Sequence, residues 1–406
     1  MFNKELKLFS SVTSMLLAAI GLLFVACEEP QKEVGSPEVI PKVNTEVFVD
    51  LDSIAITEKA QELDQLFSRL QTRTGFNGTV LYSEKGRVIF KKAYGFQNVR
   101  YKKDTLQTGD AFQLASVSKM FTAFAIMILK HEGKLDYDED IRIYLPDFPY
   151  EDVTCRLMMT HRAGLPRYMS LAHDKWKDKD KPLTNDLMMQ LFIDYHPDRY
   201  FSPNSGFHYC NTNYAILANV VEAVSGDRFE DFIKERIFEP LGMDSSFVYN
   251  MRGDSLVTPF VEEGVPGFRH RGWRWREMEN NYLNGVMGDK GIYTSIEDLH
   301  RFDKGLDEGI LLPDSVIREA FVPGSKRYWK RKNNYGFGWR LKDGMDSTAF
   351  HFGWWKGFRT FYIRDMKHQK TLIVLSNKDK GPGSDNFWNI IKSDTLQLGS
   401  YSSLPL

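Results

Sequence analysis

Ser116-Val117-Ser118-Lys119-Met120-Phe121-Thr122-Ala123-Phe124-Ala125-Ile126-Met127-Ile128-Leu129 is the stretch on which the fold turns. From Met120 to Leu129 it is apolar almost all round, the pattern of a helix buried inside a lobe. Ser116 sits at the start of that helix, and the i, i+3 spacing places Lys119 on the same face. A serine hydroxyl is a poor nucleophile until a neighbouring base takes its proton. A lysine held away from water loses its preference for the charged form and can be that base. A helix N-terminus adds free N–H groups beside a developing oxyanion. The same residues also read as an N-cap and a solvated lysine, because Ser116 and Ser118 are both good capping residues. About one S-x-x-K is expected by chance in a chain of this length. Context has to decide.

Upstream, Ile56, Ala60, Leu63, Leu66, Phe67 and Leu70 fall on one helical face. Gly78 to Ser83, a Glu84-Lys85-Gly86 turn and Arg87 to Ala93 then read as a β-hairpin. Downstream, residues 115 to 325 read as mainly helical stretches broken by Pro/Gly loops. Strands return at Tyr335–Leu341, Ser347–Phe352, Phe358–Arg364 and Thr371–Ser376, and a short helix follows at Asn386–Ile391. This order predicts an α+β fold: one antiparallel sheet assembled from both ends of the chain, flanked by N- and C-terminal helices, with a large helical lobe inserted. A cleft between sheet and lobe is the natural place for a site.

The 406 residues suit a well-cored globular protein, at 42% hydrophobic and 26% charged. Lys plus Arg number 53 against 54 Asp plus Glu, which leaves no electrostatic footprint for nucleic acid. Three cysteines are too few for a disulfide scaffold, and Cys155 and Cys210 are expected to be buried free thiols. The nine histidines include no H-E-x-x-H or comparable spacing, so neither a metal nor another cofactor is expected. Lys4 and Lys7 precede an apolar run from Leu16 to Ala26, too short to span a bilayer and suited to a signal peptide. The run ends at Ala26-Cys27, which resembles a bacterial lipoprotein cleavage site. The resemblance implies acylation of Cys27, a membrane anchor and a place in the cell envelope, periplasmic or at the cell surface. The expected organisation is a signal peptide over 1–26, a Pro-rich tether over 27–55, one domain over 56–394 and a tail over 395–406.

The wider motif set gives Ser116–Lys119 its context. Tyr209-Cys210-Asn211 follows a turn at Ser202–Gly206 and precedes an apolar helix, whereas a second Y-x-N, Tyr282-Leu283-Asn284, lies in a polar loop. His351-Phe352-Gly353 ends one strand and is followed by another. With Leu157–Pro166, Ile237–Met243 and Gly288–Leu299, these segments occur in the order found in the class C β-lactamase-related branch of the penicillin-binding-protein-like serine hydrolases, which the chain resembles over roughly residues 75 to 380. The resemblance implies an acyl-enzyme on Ser116, with Lys119 and Tyr209 sharing the proton work. It gives Asn211 a hydrogen bond to Lys119 or to a substrate amide, and puts His351 on the opposite wall to polarise Tyr209 or the substrate. The backbone N–H groups of Ser116 and Trp354 would form the oxyanion hole, and Phe352, Gly353 and Trp355 would touch substrate.

The third motif departs from the family. A Lys-Thr-Gly or His-Thr-Gly strand recognises a carboxylate, but Phe352 has no hydroxyl and a histidine near pH 7 is mostly neutral. Arg359 is a candidate replacement charge, read first as a solvated strand residue. Trp273 and Trp275, in an Arg-rich loop near 268–276, are candidates for an aromatic acyl-binding wall beside Trp354, Trp355 and Phe358. The expected activity is cleavage of an ester or amide. The alternatives are a cell-wall DD-peptidase or β-lactamase, and a catalytically silent surface lipoprotein that binds a peptide or glycan.

Overall fold

The computed structural model describes residues 53–249, 264–325, 333–345 and 347–396. The signal segment, Cys27, nearly all of the tether and most of the C-terminal tail lie outside the described residues.

Helix α1 spans Ser53–Thr74, so the last three residues assigned to the tether are helical. Its apolar face buries Leu63, Phe67 and Leu70. Strands β1 (Gly78–Glu84) and β2 (Arg87–Tyr94) form the expected hairpin. Its two-residue turn, Lys85-Gly86, has both residues at positive φ, the conformation that matches the right-handed twist of paired strands. The lobe follows, built chiefly around α2 (Lys119–His131), α3 (Asn211–Ser225) and α4 (Ile296–Asp307). Every residue of α2 from Lys119 to Leu129 is buried, as the unbroken apolar run requires.

The chain then returns to the sheet through β3 (Asn333–Tyr335), β4 (Arg340–Lys342), β5 (Thr348–Trp355), β6 (Phe358–Asp365) and β7 (Lys370–Ser376), and closes with α5 (Asp385–Lys392). Spatial order is β3-β4-β5-β6-β7-β1-β2, antiparallel throughout. Pairing of Gly78 with Ser376 through Glu84 with Lys370 joins the two ends of the chain. Strand alternation divides the core. One face packs Phe350, Phe361, Ile363 and Val374 against α1 and α5, and the other packs Leu81, Tyr362, Ile373 and Leu375 against the lobe.

Three local expectations are corrected. The strand expected over Tyr335–Leu341 is broken at Gly336–Trp339. Gly338 lies there at φ +82°, and a Cβ on it would sit 2.8 Å from Met120 Cα. Strand β5, expected to end at Phe352, runs on to Trp355 because Phe358 and Arg359 continue to pair with it. The Arg-rich loop is itself a hairpin, Phe268–Arg271 with Arg274–Glu277. A small sheet of Phe112–Gln113, Ile292–Thr294 and Phe247–Val248, which nothing in the apolar pattern announced, ties the segment before α2 to the lobe.

Candidate active site

Ser116 lies in a 3₁₀ turn, Ala115–Ser118, which runs directly into α2. Neither Ser116 nor Ser118 caps a helix with its side chain, so the capping alternative falls away. Leu114 hydrogen-bonds Ile292 in the small sheet, and Ala115 takes φ +50°, a strained conformation for an alanine. The turn is wedged against β5. A Cβ on Gly353 would lie 2.2 Å from the Leu114 carbonyl oxygen, so the third-motif glycine is required for close approach of the Ser116 turn.

Lys119 is fully buried and reaches back one turn, its Nζ 3.2 Å from Ser116 Oγ. The same Nζ donates to the Asp289 carbonyl at 2.7 Å and stands 5.3 Å from the Tyr209 ring centre. The Gly288–Gly291 loop supplies that carbonyl. Within it the Asp289 carboxylate meets Lys290 at 3.2 Å and Tyr168 at 3.1 Å, and burial pulls the Lys290 ammonium below the usual lysine range. Spacing showed Ser116 and Lys119 together; it gave no sign of this floor.

Tyr209 immediately precedes the Cys210 cap of α3. His161 fixes that entry, since its Nδ1 accepts from Cys210 N–H at 3.2 Å and faces Asn213 Nδ2 at 3.1 Å. The His161 ring packs 4.3 Å from the Tyr209 ring, and burial pushes its pKa well below the histidine range. It holds Tyr209 in place as a neutral ring. The guanidinium of Arg340, which no motif flagged, lies over the Tyr209 ring, 4.7 Å from its centre. The Tyr209 hydroxyl and the Asn211 Oδ1 are both buried without a hydrogen-bond partner.

An open depression of about 380 Å³ is lined by Ser116, Tyr209, Arg340, Phe352, Gly353, Trp354, Arg359, Phe361 and Ser384. A second, of about 250 Å³, continues past Tyr209 and Asn211 to Arg167 and Met169. A larger cavity of about 470 Å³ beside Asp110 and Asp244 contains no such pairing of hydroxyl and amine. Strand β4 pairs with β5 only as far as Phe350, so the edge from Phe352 to Trp355 has no strand partner on that side among the described residues.

Other expected site residues stand differently. His351 lies behind the wall and not on it. Its Nδ1 donates to the Phe352 carbonyl at 3.0 Å, so its Nε2 accepts from the Tyr335 hydroxyl at 3.0 Å, and burial holds the ring well below the histidine range. Asn211 makes no hydrogen bond to Lys119; its Nδ2 lies 3.9 Å from Met169 Sδ. Trp355 turns away from the depression and lies under the Lys290 ammonium at 5.4 Å. Trp273 and Trp275 do not line the depression, and among the described tryptophans Trp354 alone stands on its lip, 60% exposed. The second Y-x-N is a buried 3₁₀ turn, Tyr282–Gly285, held by Asn281. Arg359 is half-buried and hydrogen-bonded to the Pro382 carbonyl at 3.2 Å, more enclosed than a solvated strand arginine. Cys155 and Cys210 are buried free thiols, and burial pushes Cys155 up to about 12.

Known proteins resemble this chain over most of its length. The sequence profile described as Beta-lactamase matches residues 63–397. Penicillin-binding protein 4* of Bacillus subtilis (strain 168) is 35% identical over 338 residues, covering 79% of this chain and 72% of that protein. A D-aminopeptidase of Brucella anthropi is 28% identical over 335 residues, covering 82% of this chain and 61% of its own. The crystal structure of a penicillin binding protein from Bacillus halodurans superposes with a TM-score of 0.68 at 25% identity, covering 80% of this chain and 98% of that one.

Proposed function

We propose an activity from one premise: the chain belongs to the Beta-lactamase family, as a serine hydrolase related to penicillin-binding proteins and D-aminopeptidases. Its reaction is cleavage of an ester or amide through an acyl-enzyme on Ser116. The observation that carries this reading is the 3.2 Å approach of the buried Lys119 Nζ to Ser116 Oγ, with the Tyr209 ring centre 5.3 Å from the same Nζ and its hydroxyl not hydrogen-bonded among the described residues. Ser116 Oγ attacks the substrate carbonyl as its proton passes to the Lys119–Tyr209 pair. The tetrahedral oxyanion is held by the backbone N–H groups of Ser116 and Trp354. Such donors typically contribute about 10²–10³ in rate each. Tyr209 returns the proton to the departing amine or alcohol, and water then releases the acyl group by the reverse sequence. Phe352, Gly353 and the unpaired edge of β5 receive the acyl portion.

Arg340 and Arg359 favour a second reading within the same site. With His351 neutral and inside the protein, these two guanidinium groups are the cations of the depression, and a guanidinium pairs well with a carboxylate. A peptide with a free C-terminal carboxylate, as in a DD-peptidase reaction, suits that lining.

Turnover of a short-chain p-nitrophenyl ester tests the first reading, with Ser116→Ala beside the wild type. Activity that disappears in the variant supports Ser116 as nucleophile, and equal activity in both removes it. Comparing a D-alanyl dipeptide with its C-terminal amide tests the second, which expects the free acid to be cleaved faster. Activity in neither protein on any of these substrates would favour a silent binding cleft. Cys27 is proposed as the acylated anchor; incorporation of labelled palmitate that is lost in Cys27→Ala tests it, and equal labelling contradicts it.

A further inference from the structure

The hairpin Phe268–Arg271 with Arg274–Glu277 turns at Gly272-Trp273. In an antiparallel pair, directly opposite residues share a face and successive pairs alternate between faces. Phe268/Glu277 and His270/Trp275 therefore face one way, and Arg269/Arg276 and Arg271/Arg274 the other. The first face is turned onto the protein. Phe268 is fully buried, the His270 and Trp275 rings meet edge-on at 5.0 Å, and the Lys378 ammonium lies 4.0 Å from the Trp275 ring centre.

The second face carries four guanidinium groups as two like-charged cross-strand pairs, an arrangement that destabilises a hairpin on its own. Among the described residues, Arg269 has a carboxylate partner in Asp379 at 3.4 Å, and no ion pair joins Arg271, Arg274 or Arg276 to another side chain. Those three are exposed, and Trp273 at the tip is 90% exposed. The base of the hairpin is firmly held. Phe268 N–H donates to the Asn377 carbonyl at 2.8 Å, and a Cβ on Gly267 would lie 2.2 Å from the Lys356 carbonyl oxygen. Lys356 belongs to the β5–β6 turn, next to Trp354 on the lip of the depression.

We propose that this hairpin docks the protein on an anionic membrane surface, with Trp273 at headgroup level and Arg269, Arg271, Arg274 and Arg276 against lipid phosphates. Indole rings favour the membrane–water interface. Each basic group near an anionic leaflet strengthens binding by about fivefold, and lipid phosphates supply the counter-charge that the fold withholds. Because the hairpin base abuts the β5–β6 turn, docking brings the mouth of the depression close to the headgroup layer.

The test uses the full-length chain with vesicles of phosphatidylcholine alone and of phosphatidylcholine and phosphatidylglycerol in equal parts. The ratio of the two affinities is read, so that any contribution of residues 1–52 common to both kinds of vesicle cancels. The wild type is expected to prefer the anionic vesicles on the order of 10²-fold at low salt, with the preference collapsing at high salt. R274E/R276E turns both like-charged pairs into opposite-charged ones, so the ratio is expected to fall near one while Tm holds or rises. Trp273→Ser is expected to weaken anionic binding several-fold and to keep its salt dependence. Equal wild-type binding to both vesicles, or an unchanged preference in R274E/R276E, overturns the proposal. Capture by soluble heparin with no vesicle preference assigns the face to a soluble polyanion and overturns it too.

Discussion

The two faces of the central sheet are built from the same strands and finished differently. Toward α1 and α5 the side chains form an aromatic stack, in which Phe67 lies within 6.4 Å, centre to centre, of Phe76, Phe90, Tyr94 and Phe387. Two tyrosine hydroxyls at that face are tied off: the Tyr82 hydroxyl donates to Glu84 at 2.8 Å and Tyr94 to Asp64 at 2.7 Å. Toward the lobe, buried Lys119, Asp289, Lys290, His161 and His351 share the core with apolar side chains. Several polar atoms there, including His161 Nε2, Tyr209 OH and Asn211 Oδ1, have no partner. Burying such groups costs stability unless they are hydrogen-bonded. One face is chiefly an aromatic core, and the other combines an apolar core with the buried polar groups around Ser116.

Exchanging the roles of the two faces tests this division. Lys119→Met should abolish ester turnover, by about 10⁴-fold or more. Stability should move by less than about 2 kcal/mol, because loss of the bond to the Asp289 carbonyl is set against removal of a buried amine. A variant that unfolds, or that retains activity, blurs the division. On the other face, Phe67→Ala should cost about 3–5 kcal/mol in denaturant unfolding, with turnover per folded molecule unchanged.

A pH series sharpens the comparison. Burial holds His161 and His351 well below the usual histidine range and brings His300, on α4, down to about 4. Folded, these rings are neutral at pH values where the unfolded chain would protonate them near 6.5. The unfolded state therefore binds more protons below about pH 6.5, and stability is lost as pH falls from there toward the folded values. A shift from 6.5 to about 4 makes the His300 share up to about 3 kcal/mol. Tm should decline between pH 7 and 4, and His300→Gln should flatten part of the decline; an unchanged slope assigns it elsewhere. The smallest effect belongs to Ala115→Gly. Relief of the φ +50° strain should change stability by at most about 1 kcal/mol in either direction, while turnover falls as the Ser116 turn loosens.

Much of this was legible in the chain. The apolar run 120–129 gave the buried helix, the i, i+3 spacing gave the Ser116–Lys119 contact, and strand patterns at both ends gave one sheet closed by β1 and β7. What escaped depended on neighbours distant in sequence. Nothing local to Arg340 says that it stacks on Tyr209, 131 positions earlier. The family resemblance put His351 on the wall, and no local pattern announces the Tyr335 hydroxyl, from another strand, that engages its ring inside the protein. The Arg-rich segment 268–276 looked like a loop because its outward positions are charged and its inward His270 and Trp275 are not aliphatic.

Intact-mass analysis during turnover of p-nitrophenyl acetate reads directly whether Ser116 carries the acyl group. One acetyl group per chain is expected, located by peptide mapping to Ser116, formed with a burst of p-nitrophenol and absent from Ser116→Ala. An acetyl group on another residue, or one that persists in Ser116→Ala, would contradict it.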